Sequence, residues 1–364
     1  MDPRYAAVFT LCWLLIIEKE RSNMTLEFLS QQITRRQLAL GAAGVAALTF
    51  LPAGALTASA QESSDLSAMG YPELDVTVTD AGFEGVPEST AAGRYLLKVT
   101  NANSDKTGNV GAVAFLSPTP AGMSAADFMV LLGGSGGGPA EATPNGGDES
   151  AAATPEDGGE QSQALPLVLY QMYFAGGAFA LPGQNAEAVI DLKAGEYIVW
   201  GDDPEVPLPP LILNVTGDFP SDVQDPEAEI TVTLIDFAIM IEGIPTAGKH
   251  VWKIQHEGAQ PHFLDLEKGP DTMTKEQVQA VLMADESATP APGGLDPNTL
   301  EGTFYSPTQS IGTVTYQWVD LTEGTYLAAC FFPTAGTGVP HAMNGMIDVF
   351  TVGASESPEA TPTT

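Results

Sequence analysis

Positive charge is scarce in this chain. Its 364 residues include 13 Lys and Arg against 46 Asp and Glu, which gives a formal net charge of −33. A chain this acidic repels the phosphate backbone of nucleic acids and the surface of anionic membranes, so we predict no nucleic-acid partner. Its electrostatic field instead favours partners with a basic patch.

Cysteine and histidine are also scarce, with two Cys and four His. Cys12 lies in an N-terminal segment that is set aside below, which leaves Cys330 as the one cysteine of the remaining chain. A single cysteine cannot form an internal disulfide. A lone thiol in an oxidising compartment is a liability unless it is buried or bound to a metal.

The long apolar runs lie within residues 1–60. The pair Arg35 and Arg36 precedes an Ala/Gly-rich apolar run, and residues 58–60 (Ala-Ser-Ala) supply a small-x-small cleavage pattern. This order resembles a twin-arginine (Tat) signal peptide, and an uncleaved membrane anchor is the alternative. Residues 1–23 are interpreted as an upstream extension before Met24. We therefore expect export to the periplasm, the cell surface or the medium, with no stable membrane span in the mature form.

The rest of the chain contains one unit twice. Residues 74–103 and 230–258 both open with alternating apolar residues, which is the pattern of a half-buried strand, and both continue through Ala-Gly-basic-aromatic into a second strand. Ser124 and Thr274 each begin a capping box, which predicts one short helix per copy. The sequence therefore predicts an all-β fold of two tandem Greek-key β-sandwiches, each with one short helix.

Changes in composition set the predicted boundaries. The first unit spans 73–219 and the second 227–353, with a Pro- and Asp-rich segment between them. Residues 133–163 contain no aromatic residue and no Val, Leu, Ile or Met, so they predict a disordered loop. Residues 354–364 are rich in Ser, Pro, Glu and Thr and predict a disordered tail.

All four His and the one remaining Cys lie in the second unit. Residues 61–219 contain no His, and Gly201 of the first unit takes the position of Cys330. Redox-active copper favours a thiolate and imidazoles in a trigonal set with a weak axial thioether. His262, Cys330, His341 and Met346 supply that set. Strand alternation predicts that His262 and Cys330 lie at the same end of the sandwich.

Residues 229–352 resemble the cupredoxin (plastocyanin-like) family. The resemblance is carried by Pro261-His262, Gly324-Thr325-Tyr326, Cys330, Pro340-His341 and Gly345-Met346. It implies one type 1 copper held by His262, Cys330, His341 and Met346, and single-electron transfer through the more exposed histidine, here His341. Ten residues separate Cys330 from His341, where plastocyanins have two; nitrite-reductase-type copper domains have a similarly long loop.

Each candidate ligand has a plain structural alternative. Cys330 is alternatively a buried inert thiol, His262 a loop residue bonded to backbone, and His341 and Met346 packing residues. Met343 is the rival axial ligand. Three further residues are interpreted as surface or structural groups: His250, His256 and, as a solvated strand residue, Asp265.

Three function classes follow. The preferred one is an exported type 1 copper protein that carries single electrons to a redox partner with a basic patch. The alternative is a metal-free cupredoxin-fold binding or structural module at the cell surface. The chain is expected not to be an enzyme, because four His are too few for the trinuclear centre of the multicopper oxidases. The uncharged segment Phe331–Pro340 is either an apolar docking surface or a loop whose two Phe pack inward.

Overall fold

The computed structural model describes residues 66–102, 111–118, 122–128, 167–201, 208–284 and 293–354. The segments interpreted as the signal peptide (1–60) and as a disordered loop (133–163) lie outside the described residues. So do residues 355–364 of the predicted tail. Among the residues that are described, no helix is both long and apolar enough to cross a membrane.

The described residues of the first unit form nine strands, and the first of them covers the alternating apolar residues Leu74, Val76 and Val78. The strands are β1 (Glu73–Thr79), β2 (Gly82–Glu84), β3 (Ser89–Ala91), β4 (Gly93–Asn101), β5 (Gly111–Ser117), β6 (Tyr173–Ala180), β7 (Asn185–Leu192), β8 (Gly195–Trp200) and β9 (Leu211–Thr216). A helical turn over 125–128 follows Ser124, whose hydroxyl accepts the N–H of Asp127 at 3.0 Å. A 3-10 helix, Leu167–Gln171, precedes β6.

Eight strands and one α-helix form the second unit, counted over its described residues 227–284 and 293–353. The strands are β10 (Ile230–Ile235), β11 (Ala238–Glu242), β12 (Gly248–His256), β13 (His262–Gly269), β14 (Glu301–Gln309), β15 (Val314–Leu321), β16 (Gly324–Ala329) and β17 (Ile347–Val352). Helix α1 (Lys275–Leu282) begins at Thr274 with the predicted capping box, in which Gln277 is the reciprocal partner. The prediction of an all-β fold with short helices is confirmed.

The strands form two sheets that both run through the two units. One sheet has the order β11-β10-β12-β15-β7-β4-β1-β2, and the other has the order β17-β16-β13-β14-β6-β5-β8-β9-β3. The units meet edge to edge where β15 pairs with β7 and β14 pairs with β6. The two units are therefore joined through shared sheets, which the repeat pattern gave no reason to expect.

The inner faces of β13 and β16 position the candidate site. Leu264 and Leu266 of β13 share a buried cluster with Tyr326, Ala328 and Cys330. The alternate residues of β16 face a second cluster, which α1 covers from outside. Because side chains alternate along a strand, His262 and Cys330 both face inward at the same end of the second unit.

Candidate metal centre

His262 is the first residue of β13, directly after Pro261. It pairs with Gln309 at the end of β14, and its side chain is completely buried. Cys330 directly follows β16, and its N–H donates to the carbonyl of Met346 at 3.2 Å. Two neighbouring strand ends therefore present one imidazole and one thiol to the same interior space.

The ten residues between Cys330 and His341 fold back on themselves. Pro333 and Pro340 form a β-bridge, and the N–H of Thr334 donates to the carbonyl of Val339 at 2.8 Å. The N–H of His341 then donates to the carbonyl of Phe332 at 2.9 Å. This closed hairpin, which we call the metal loop (331–340), returns His341 to the side of Cys330 despite the long insertion.

Three donor atoms converge in the interior. Nδ1 of His262 lies 2.9 Å from Nδ1 of His341, and each of these nitrogens lies 3.8 Å from Sγ of Cys330. All three side chains are fully buried. Donors about 2.0 Å (nitrogen) and 2.3 Å (sulfur) from one metal ion in a trigonal arrangement lie ~3–4 Å apart. The spacing and the chemistry of the donors therefore fit a trigonal metal site.

Met346 and Met343 occupy different places. Met346 is fully buried in the cluster that contains Cys330, and its N–H donates to the carbonyl of His341 at 3.0 Å. Met343 is partly buried and packs in the outer cluster with Phe331. The packing thus supports Met346 over Met343 as a candidate axial ligand, which remains a prediction.

Asp236 is part of the site, and sequence reasoning missed it. Its Oδ1 lies 3.0 Å from Nε2 of His262 and accepts the N–H of Gln260 at 3.1 Å. Burial raises the pKa of Asp236, but the bonds from Gln260 and His262 outweigh it, so the pKa falls below its usual value. Asp80 stands at the same place in the first unit, so the repeat did not mark the residue as special.

Gly258 makes the contact between Asp236 and His262 possible. A Cβ atom at Gly258 would lie 2.5 Å from Oδ1 of Asp236 and 2.5 Å from Nε2 of His262. Any larger residue would push these two groups apart. Position 258 therefore requires glycine, because a side chain there would occupy the space in which Asp236 meets His262.

His256 is buried, which excludes the surface interpretation and leaves the structural one. It ends β12, and its ring stacks on that of His262 with centroids 4.7 Å apart and planes at 21°. Neither ring nitrogen makes a hydrogen bond within 3.5 Å. Burial lowers the pKa of His256, and the nearby backbone of Gln260 opposes only part of that shift. His250 lies outside the donor group; its Nδ1 contacts Glu229 at 2.6 Å.

Burial keeps the candidate donors uncharged without a metal. Burial lowers the pKa of His262 to about 3 and that of His341 to about 4. Burial also raises the pKa of the Cys330 thiol to about 12. Two neutral imidazoles are ready to bind a cation, whereas the thiol has to lose its proton first.

His341 is not the more exposed histidine that the resemblance implied. Both candidate histidines are completely buried. The rings of Phe237 and Phe332 lie against His341, with centroids 5.4 and 6.0 Å away, and cover it. Phe331 and Phe332 are themselves only 8% exposed. Of the two interpretations of the uncharged loop, inward packing therefore describes both Phe.

Asp265 is not the solvated strand residue that the sequence suggested. It is 4% exposed on the outer face of β13, beside the equally buried Glu267. Helix α1 and the segment around Leu295 and Leu300 cover the cluster on this face. Burial, and secondarily the charge of Glu267, raise the pKa of Asp265 well above its ordinary value.

The first unit has no equivalent donor group within the part of the chain that is described. Gly201 follows β8 as Cys330 follows β16. A Cβ at Gly201 would meet the side chains of Leu208 and Phe83 at 3.6 Å. Apolar side chains therefore lie beside this position, where the second unit has the thiol of Cys330.

No protein-family model and no curated protein matches this chain. Similar solved structures include reduced auracyanin from Roseiflexus castenholzii, at 19% identity, 34% of this chain, 94% of that chain and a TM-score of 0.23. Auracyanin A, a blue copper protein from Chloroflexus aurantiacus, is 23% identical over 34% of this chain and 96% of its own (TM-score 0.21). Copper nitrite reductase from Nitrosomonas europaea is 10% identical over 79% and 96% (TM-score 0.20). Likeness this distant fixes neither ligand nor activity.

The prediction that the chain is not an enzyme is contradicted by these neighbours. Besides the nitrite reductase they include multicopper oxidases and a laccase, which are enzymes, at 9–10% identity. The similarity is too remote to assign a reaction. Counting histidines was too narrow a criterion, because it considered mainly centres that one chain builds alone, whereas a subunit interface can supply further ligands.

Proposed function

We propose that the second unit binds one copper ion as a type 1 centre and that the protein exchanges single electrons through it. His262, Cys330 and His341 supply the strong ligands and Met346 the weak axial one. The observation that carries the proposal is the convergence of two imidazole nitrogens and one thiol sulfur, all within 4.8 Å of one another and all buried.

The donor set favours copper over other metals. Two imidazoles, one thiolate and a distant thioether suit blue copper, whereas structural zinc sites take four Cys or His ligands. Bound copper would supply one-electron chemistry by alternating between two oxidation states. In the second unit β10 pairs with β12 in parallel, and the connections β12–β13, β14–β15 and β15–β16 cross from one sheet to the other. This order suits a cupredoxin-like Greek-key sandwich.

The chain's own residues keep the site dry and fixed. Phe237 and Phe332 cover His341, and Leu264 packs in the cluster that contains Cys330. Backbone hydrogen bonds tie Cys330 to Met346 and His341 to Phe332. A site whose ligands are held from three segments in this way changes little between oxidation states, which speeds outer-sphere electron exchange.

We further propose that the protein is exported by the Tat route and that its redox partner is a protein with a basic patch. Folded export suits a protein whose site is assembled from residues up to 84 positions apart, from His262 to Met346. The net charge of −33 would attract a partner with a basic patch, and the attraction would weaken as salt is added.

The test is the absorption and spin-resonance spectrum of the copper-loaded protein. Intense visible thiolate-to-copper absorption at one copper per chain is expected. Cys330→Ser should abolish the colour, since no other Cys is among the described residues. Met346→Leu should change the spectrum, whereas Met343→Leu, the matched control, should leave it unchanged. A loaded protein without that absorption, or a coloured Cys330→Ser variant, refutes the proposal.

A further inference from the structure

The turn between β10 and β11 contacts both candidate histidines. Asp236 lies against Nε2 of His262, and the next residue, Phe237, lies edge-on to the ring of His341. Phe237 has a φ of 63°, and no other non-glycine residue among those described has a positive φ. Such a conformation is costly for a bulky residue and persists where the surroundings require it. It lets two consecutive residues reach two different ligands.

Asp236 fixes which nitrogen of His262 faces the other donors. A carboxylate only accepts hydrogen bonds, so Nε2 of His262 has to carry the proton. Nδ1 then presents its lone pair toward Sγ of Cys330 and Nδ1 of His341. Carboxylate–histidine pairs of this kind orient metal-bound imidazoles and raise their basicity.

The charge of Asp236 lies between the buried donor atoms and the protein surface. Its side chain is 32% exposed, whereas that of His262 is fully buried, so the carboxylate links a buried donor to the surface. One imidazole ring separates this negative charge from the donor atoms. A negative charge at that position stabilises the more highly charged oxidation state of a metal held there.

Resting on the proposed function, we infer that Asp236 is a positioning residue that also lowers the reduction potential of the copper. The hydrogen bond holds His262 in the metal-binding tautomer, and the charge favours copper(II) over copper(I). The first unit retains Asp80 at the same place but has no histidine beside it, so the role belongs to the second unit alone.

Two substitutions separate the two effects. Asp236→Asn keeps an acceptor for Nε2 and removes the charge, so the preference for copper(II) should fall about tenfold. For a one-electron couple this is a rise in potential of about 59 mV. Asp236→Ala removes the acceptor as well and should also broaden the spin-resonance signal. Asp80→Asn is the matched control and should leave the potential unchanged.

The metal-free protein provides a readout that does not depend on copper. Nitrogen–proton correlation spectra of His262 should show the proton on Nε2 in the wild type and in Asp236→Asn, and a mixture of tautomers in Asp236→Ala. Unchanged tautomers in Asp236→Ala overturn the positioning role. A coloured Asp236→Asn protein with unchanged potential overturns the charge effect. A wild type that binds no copper refutes the proposed function and with it the charge effect, while the tautomer measurement still decides the positioning role.

Discussion

The hydroxyl of Tyr170 donates a hydrogen bond to the backbone carbonyl of Pro333 at 2.8 Å. The first residue belongs to the first unit and the second to the metal loop of the second unit. The ring of Tyr170 also lies edge-on to Phe332, with centroids 5.8 Å apart, and Phe332 in turn lies against His341. The first unit therefore supports the loop that leads to His341, one of the candidate metal ligands.

Tyr170→Phe should loosen the metal loop while the ring packing remains. The variant loses one hydrogen bond, which costs about 1 kcal/mol of unfolding free energy. Copper should leave the variant for a chelator faster than it leaves the wild type. Tyr95→Phe is the matched control, because it removes a hydroxyl that donates to the carbonyl of Ala91 within the first unit. Equal copper loss from both variants would count against support by the first unit.

Gly258→Ala should disturb the site directly. The added Cβ would lie 2.5 Å from both Asp236 and His262, and overpacking of this kind costs ~1–3 kcal/mol. Gly201→Ala is a fair comparison, since neither glycine has a positive φ and the Cβ there meets nothing closer than 3.6 Å. Thermal melts and the visible spectrum of both variants check this. An unperturbed Gly258→Ala spectrum would contradict the geometry at Asp236.

Metal binding should release one proton. The raised pKa of Cys330, about 12, keeps the thiol protonated at neutral pH, whereas the lowered pKa values of His262 and His341 keep both rings neutral. Between about pH 5.5 and 9, affinity for redox-inert zinc(II) should therefore rise about tenfold per pH unit. Calorimetry in buffers of different ionisation enthalpy measures the proton count, and Cys330→Ser should release none. Release of two or more protons would show that a histidine is charged in the metal-free protein.

The metal-free protein should lose stability in mild acid. Burial lowers the pKa values of His256 and His341 to about 4 and that of His262 to about 3, so the unfolded chain binds three protons more on acidification from about pH 6.5. Asp265, whose pKa is raised by burial, opposes part of this effect. Each histidine that gains a proton only on unfolding lowers the unfolding free energy by about 1.4 kcal/mol per pH unit.

His256→Phe is the variant that checks this balance. It keeps a ring against His262 and removes one of the three groups, so the slope of unfolding free energy against pH should fall by about 1.4 kcal/mol per unit. Denaturant unfolding at several values between pH 4.5 and 6.5 measures the slope. A slope that does not change would mean that His256 is already protonated in the folded protein.

Period-two alternation was enough to predict the all-β fold and the shared end of β13 and β16. Leu264 and Tyr326 face the same core because side-chain direction along a strand depends only on parity. The helix N-caps at Ser124 and Thr274 could be predicted because their partners lie only three residues away; the full reciprocal capping box is formed at Thr274. Strand alternation and helix N-caps could therefore be predicted, because each depends on residues close together in the sequence.

The rest of the site depends on contacts between distant segments. Asp236 comes 26 residues before His262 and contacts it only because β10 pairs with β12 and the turn after β10 reaches the start of β13. Asp265 is buried because α1 packs over the cluster on the outer face of β13. His341 is buried because the rings of Phe237 and Phe332 lie against it. None of these neighbours follows from the pattern around the residue itself.

The pairing of β14 with β6 and of β15 with β7 also has a consequence for aggregation. A strand at the edge of a sheet presents unpaired N–H and C=O groups that can recruit a strand from another molecule. Each unit covers two such edges of the other, so that, among the strands of the described segments, only β2, β3, β11 and β17 end the two sheets. Separating the units would uncover β14 and β15 and give self-association a starting point in the unit that contains the candidate metal site.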